Sequence, residues 1–174
     1  MKILNPAMRI IFLLSVLAFG IQACTNNAKE ETSLKMLQNK VDSLNLFVQK
    51  MKPGLGELMT NIQLHHEKLW FAGTGLNWKL ADFEIGEIKE TVDQAKEIET
   101  DRPETKSLTM LSEPINAINH DIENQDINQF KKDYGILTQT CNTCHTANHF
   151  EFNVITIPSA PTVSDQDFKT LQVR

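Results

Sequence analysis

Near its C-terminal end the chain carries Cys141-Asn142-Thr143-Cys144-His145, a C-x-x-C-H pattern. Two thiols about one helical turn apart can each form a thioether with one vinyl group of a single haem. The adjacent histidine then supplies an axial nitrogen to the iron. Three other readings use the same residues: a zinc site, a redox disulfide and a chance pattern. Structural zinc needs four ligands in a closed tetrahedron. Cys141, Cys144, His145 and His149 are the local donors, but no second C-x-x-C is present. A redox pair expects a βαβ setting, which nothing around the motif suggests. The elements that carry the motif have to decide between these readings.

The motif falls on an apolar helical stripe. Phe130, Tyr134, Leu137, Cys141 and Cys144 follow at steps of four, three, four and three, the period of one helix face. This helix starts at Asp126, which with Gln129 has capping-box spacing. Both thiols are therefore expected to point into the protein.

Three more amphipathic helices precede it. The first runs from about Leu55 to Phe71, with Leu55, Leu58, Met59, Ile62 and Leu69 as its stripe and His65 and His66 inside that stripe. Trp70 follows His66 by four residues and shares its face. The second starts from Asn77 as cap and runs to Glu99. The third reads Leu108, Leu111, Ile115, Ile118 and Ile122 at heptad spacing, with Ser112 as cap and Pro114 in the first turn; the residues before Ser112 read as a separate turn.

Beyond Asn148 the helical pattern stops. Phe150, Phe152 and Val154 alternate with polar residues and Pro158 and Pro161 follow, as in an extended tail laid over the bundle or the haem edge.

The N-terminal end supplies the compartment. Lys2 and Arg9 precede an apolar run from Ile10 to Ile21, too short for a comfortable membrane span and patterned like a secretory signal. It closes on Ile21-Gln22-Ala23-Cys24, which resembles a bacterial lipobox with Cys24 as the lipidated residue. Export to the periplasmic side, with a lipid anchor in a bacterial membrane, agrees with the motif, because haem is attached to C-x-x-C-H outside the cytoplasmic membrane.

Residues 25–32 read as a flexible polar link. Leu34, Leu37, Val41, Leu44, Val48 and Met51 then make a short a/d seam. This is either an amphipathic helix packed on the main domain or a self-association stalk giving a homodimer. Pro53-Gly54 ends it.

The organisation expected is thus a lipoprotein-type signal peptide over 1–23 and a linker with heptad helix over 24–53. A haem-binding bundle follows over 54–148, and an extended tail over 149–174. The fold class is all-α: an antiparallel four-helix bundle with an N-terminal helical stalk. The 174 residues suffice for one such domain. Net charge is −5, and without Lys2 and Arg9 the 17 basic residues fall to 15 against 22 acidic ones. That balance argues against nucleic acid as a partner. No phosphate loop, nucleophile elbow or H-E-x-x-H pair is present, so enzyme activity is not expected.

With C-x-x-C-H near the end of the last of four helices, residues Leu55 to Asn148 resemble the class II c-type cytochromes, the cytochrome c-prime-like bundles. The stretch His66-Glu67-Lys68-Leu69-Trp70-Phe71-Ala72-Gly73, with Asn77-Trp78, also resembles a signature of small exported haem-bundle proteins. The resemblance implies one covalent haem c on Cys141 and Cys144, with His145 as proximal ligand. The lipobox, the heptad helix and the long tail depart from the usual pattern. The class I arrangement is excluded by residues: it needs a methionine ligand downstream, and none of the 29 residues after His145 is Met.

The opposite axial position separates two functions. Two strong ligands make an electron carrier, whereas an open face binds nitric oxide or carbon monoxide. The first bundle helix offers His66, His65 or Met59. At about 1.5 Å per residue, Met59 is level with His145 and His66 lies roughly 10 Å deeper. A neutral histidine in an apolar stripe needs a partner, which makes His66 a candidate ligand or a haem-pocket hydrogen-bonder; a core histidine bonded to a backbone carbonyl is the bland alternative. The candidate cofactor-binding set is Cys141, Cys144, His145, His66, Trp70 and Tyr134, with His145 and His66 as metal ligands. His149 could touch a haem propionate if the last helix reached it, and His120 reads as solvated or interhelical.

Overall fold

The computed structural model describes residues 6–162 and 165–169, with side chains from residue 29 onward. The chain divides into two units, residues 1–52 and 53–174.

The first unit is one helix, α1 (Pro6–Met51). It runs unbroken through residues 25–32, where the sequence suggested a flexible link. Ala28, Lys29, Glu30 and Glu31 are good helix formers and no Gly or Pro interrupts them. The heptad residues Leu34, Leu37, Val41, Leu44, Val48 and Met51 are all exposed. Cys24 and the rest of the lipobox side chains lie outside the described residues. Among the described residues no helix is long and apolar enough to cross a membrane.

The second unit is helical, with no strand among the described residues: α2 (Leu55–Thr74), α3 (Trp78–Ile98), a 3-10 segment (Pro103–Leu111), α4 (Ser112–Asn124) and α5 (Ile127–Ala147). Short connections force reversals. Asn77 caps α3 by accepting from the Leu80 N–H, and Asp126 caps α5 by accepting from Asn128 and Gln129. The Gln129 side chain bonds Asp133 instead of closing a capping box. Ser112 is not a cap: it already has helical angles and is the first residue of α4, while the 3-10 turns lead straight into it.

Cross-helix pairs fix direction. Asn61 of α2 bonds Thr91 of α3, and His65 bonds Glu84, so these helices are antiparallel. His66 meets Tyr134 and Trp70 meets Phe130, so α2 and α5 are antiparallel too. Packing of α2 on α3, α3 on α4, α4 on α5 and α5 on α2 closes a ring of four helices. Its core holds Leu69, Ile85, Ile88, Ile118, Phe130, Tyr134 and Leu137, each almost wholly buried.

The tail is neither a strand nor free. It leaves α5 through a left-handed turn at His149 (φ 64°), with the Phe150 N–H on the His145 carbonyl at 2.8 Å. It crosses to α2, where Thr162 bonds the Glu67 carboxylate through its N–H and its hydroxyl (2.9 Å). It ends with Phe168 buried against Phe71, and its backbone sits on Gly75, where a Cβ would collide with the Phe168 carbonyl.

Asp121 of α4 is buried beside Asp133 of α5. Desolvation first, then the neighbouring Asp133 carboxyl, push the Asp121 carboxyl up to about 6. A folded-state value above the ordinary 3.8 means that the native state holds the proton more tightly. This contribution is complete below the unfolded value and is lost as pH rises through about 6. Asp121→Asn is therefore expected to raise the melting temperature at pH 7. It should also flatten the pH 4–7 slope in thermal denaturation.

Candidate functional site

The α2 and α5 ends, the 3-10 segment and the tail enclose a cavity of ≈ 260 Å³. Leu55, Met59 and Ile62 come from α2, Leu108 and Leu111 from the 3-10 segment, and Ile155 from the tail. Cys141, Cys144 and His145 line the same space, so the C-x-x-C-H residues converge on one mostly apolar cavity. The thiols point in because they continue the stripe of Phe130, Tyr134 and Leu137, which is buried throughout.

Burial pushes the Cys141 thiol up to about 12, with the neighbouring Cys144 adding to it; burial raises Cys144 as well. Reactive redox cysteines have the opposite setting, at helix N-termini with lowered values. Here the pair sits at a helix C-terminus, whose partial negative charge disfavours thiolate. Neither cysteine is in a disulfide.

His145 is held by the tail. Its Nδ1 lies 2.5 Å from the Asn153 carbonyl oxygen. A carbonyl only accepts, so Nδ1 carries the proton and Nε2 keeps the lone pair in the neutral ring. That is the arrangement of metal-binding imidazoles, whose second nitrogen donates to a carbonyl or carboxylate.

His66 also lines the cavity, and each of its ring nitrogens lies against a hydroxyl, although the single N–H of the neutral ring can bond only one of them. Nε2 is 2.9 Å from the Thr138 hydroxyl and Nδ1 is 3.0 Å from the Tyr134 hydroxyl. The Thr138 hydroxyl donates to the Tyr134 carbonyl and the Tyr134 hydroxyl to the His66 carbonyl. Desolvation lowers the His66 pKa to about 4 against a small opposing effect of Glu67, so the ring is neutral at pH 7. Tyr134 stacks on His66 at 4.5 Å and Trp70 packs on Tyr134 at 4.8 Å. Tyr134 and Trp70 thus stand behind His66, outside the cavity lining.

His65 faces α3, bonded to buried Glu84 at 2.6 Å, with Lys68 3.6 Å from the same carboxylate. His120 is exposed and lies against Asn124. His149 is exposed and off the helix, which ends at Ala147, so it does not share the His145 face.

Sequence reading missed several cavity residues. Leu108 and Leu111 read as apolar positions of the third helix, but they lie on the 3-10 segment, whose period of three their spacing matches, and they face the cavity. Asn153, Ile155 and Arg102 gave no usable signal. Arg102 lines the cavity edge and is forked onto Glu104 at 3.0 and 3.3 Å.

No family model, no curated protein and no solved structure matches this chain.

Proposed function

We propose that this chain is an exported mono-haem c-type cytochrome that transfers electrons, similar to the class II bundles and tethered to a membrane through Cys24. One observation carries the reading. Cys141, Cys144 and His145 line a single apolar cavity, and His145 is held there with its Nδ1–H on the Asn153 carbonyl. Bound haem supplies a one-electron couple. The chain's own residues supply two thiols for attachment, the Nε2 of His145 as a ligand, and an apolar wall that excludes water. Arg102, at the cavity edge, would have to share its guanidinium with Glu104 to meet a haem carboxylate.

Met59 and His66 line the same cavity and would be the residues to offer a bound haem a second donor; Met59 is favoured, because both His66 nitrogens are covered by the Thr138 and Tyr134 hydroxyls. His66 then acts as a neutral pocket residue braced by Tyr134 and Trp70. A second reading, binding of nitric oxide or carbon monoxide, would follow if neither Met59 nor His66 were to ligate a bound haem. An optical spectrum of the reduced protein with and without carbon monoxide separates the two. We expect no change on adding the gas; a shifted spectrum favours gas binding.

The a/d seam of α1 is exposed and self-complementary in its heptad spacing, which supports a second copy of the chain as its occupant.

A further inference from the structure

We propose that Asn142, one of the two residues between the motif cysteines, is a positioning residue that fastens the tail as a collar around His145. This rests on the haem reading above for its effect on redox chemistry, but the collar stands on its own contacts. The Asn142 side-chain amide makes a two-bond clamp with the tail backbone. Its Nδ2 donates to the Ile155 carbonyl at 2.8 Å, and its Oδ1 accepts from the Ile155 N–H at 2.8 Å. Two residues upstream of that clamp lies the Asn153 carbonyl, which accepts the Nδ1–H of His145.

The other end of the collar is fixed by the helix terminus. Phe150 N–H donates to the His145 carbonyl at 2.8 Å and Asn148 Nδ2 to the Cys144 carbonyl at 2.7 Å. Residues 148–155 are thus pinned at both ends, with the imidazole bond between the pins. Phe150, Asn153 and Ile155 of this collar line the cavity. Thr143, the other intervening residue, plays no such part: it is exposed, and its hydroxyl bonds the Gln139 carbonyl of its own helix.

The physical consequence is local. A carbonyl on a tethered loop holds an imidazole in one tautomer and one rotation, and raises its basicity. Only a fixed loop does this well, because an unpinned one loses the bond to its own freedom. Without the clamp, the ring turns more freely and donates less electron density from Nε2.

The test uses the full chain made in a host that attaches haem c, with attachment read separately by mass. In Asn142→Ala we expect exchange of the Ile155 amide and of the His145 ring proton, followed by NMR, to speed up about tenfold or more. We also expect a rise in midpoint potential, since a less basic axial imidazole stabilises the oxidised state less. Thr143→Ala should leave both unchanged. Asn142→Asp keeps the acceptor for the Ile155 N–H and loses the donor, so it should fall between wild type and alanine. It carries the test if the alanine variant does not fold. Wild-type exchange and potential in the folded variant overturn the proposal. A haem-free chain whose exchange still depends on Asn142 overturns the cytochrome reading and leaves the collar standing.

Discussion

Replacing both Cys141 and Cys144 by alanine is expected to abolish covalent haem. A denaturing gel stained for haem peroxidase activity, and a pyridine haemochrome spectrum, should go from one haem per chain to none. Each single substitution should leave at most one thioether, which the haemochrome band position reports. The expectation follows from placement as well as type. Both thiols lie on the buried stripe of α5 and border the same cavity, and their raised pKa values keep them as neutral thiols, guarded from oxidation until used. Wild-type protein isolated without haem from a maturation-competent host would overturn the cytochrome reading at its root.

Phe130→Ala is expected to cost about 3–5 kcal/mol of stability, measured by chemical denaturation, since it empties a fully enclosed aromatic site. Phe130 is wholly buried. Its ring meets Trp78 edge-on at 6.0 Å, Tyr134 at 6.0 Å and Trp70 at 6.5 Å. It also fills the space over Gly73, where a Cβ would run into the ring. Gly73→Ala alone should therefore destabilise by about 1–3 kcal/mol through overpacking. Combined with Phe130→Ala, the glycine substitution should lose most of its cost, because the atom it collides with is gone. A double-mutant cycle measures that coupling; strict additivity would show that the α2–α5 contact is looser than described. The cluster matters to the site, since Tyr134, held between Phe130 and Trp70, is what braces His66.

The parts of the molecule visible in the sequence are those written in a repeating period. The α5 stripe runs Phe130, Tyr134, Leu137, Cys141, Cys144, and the structure buries its first three residues and turns the thiols to the cavity. The α2 stripe, the Asn77 and Asp126 caps and the break at Pro53 were legible for the same reason. What escaped depends on partners far away in the chain. Nothing local to His66 says that Thr138 and Tyr134, about seventy residues on, stand against its two nitrogens. Nothing in Asn142 says that its amide will hold residue 155. The tail has no period to read, and its path is set by single contacts such as Glu67 with Thr162. Ser112 and residues 25–32 show the converse error. Residue type suggested a cap and a loose link, but neighbouring helical turns simply continued through them.

The separations along the chain have a consequence for how the cavity comes together. The α2–α3 and α4–α5 hairpins join near neighbours, whereas His66 with Tyr134 spans 68 residues and Glu67 with Thr162 spans 95. Short-range pairs close first and long loops close late. The chain is therefore expected to pass through a stage in which its hairpins exist while the sulfurs are still uncovered. On the cytochrome reading proposed above, that interval is when haem would be attached, and arrival of residues 148–155 would bring it to an end.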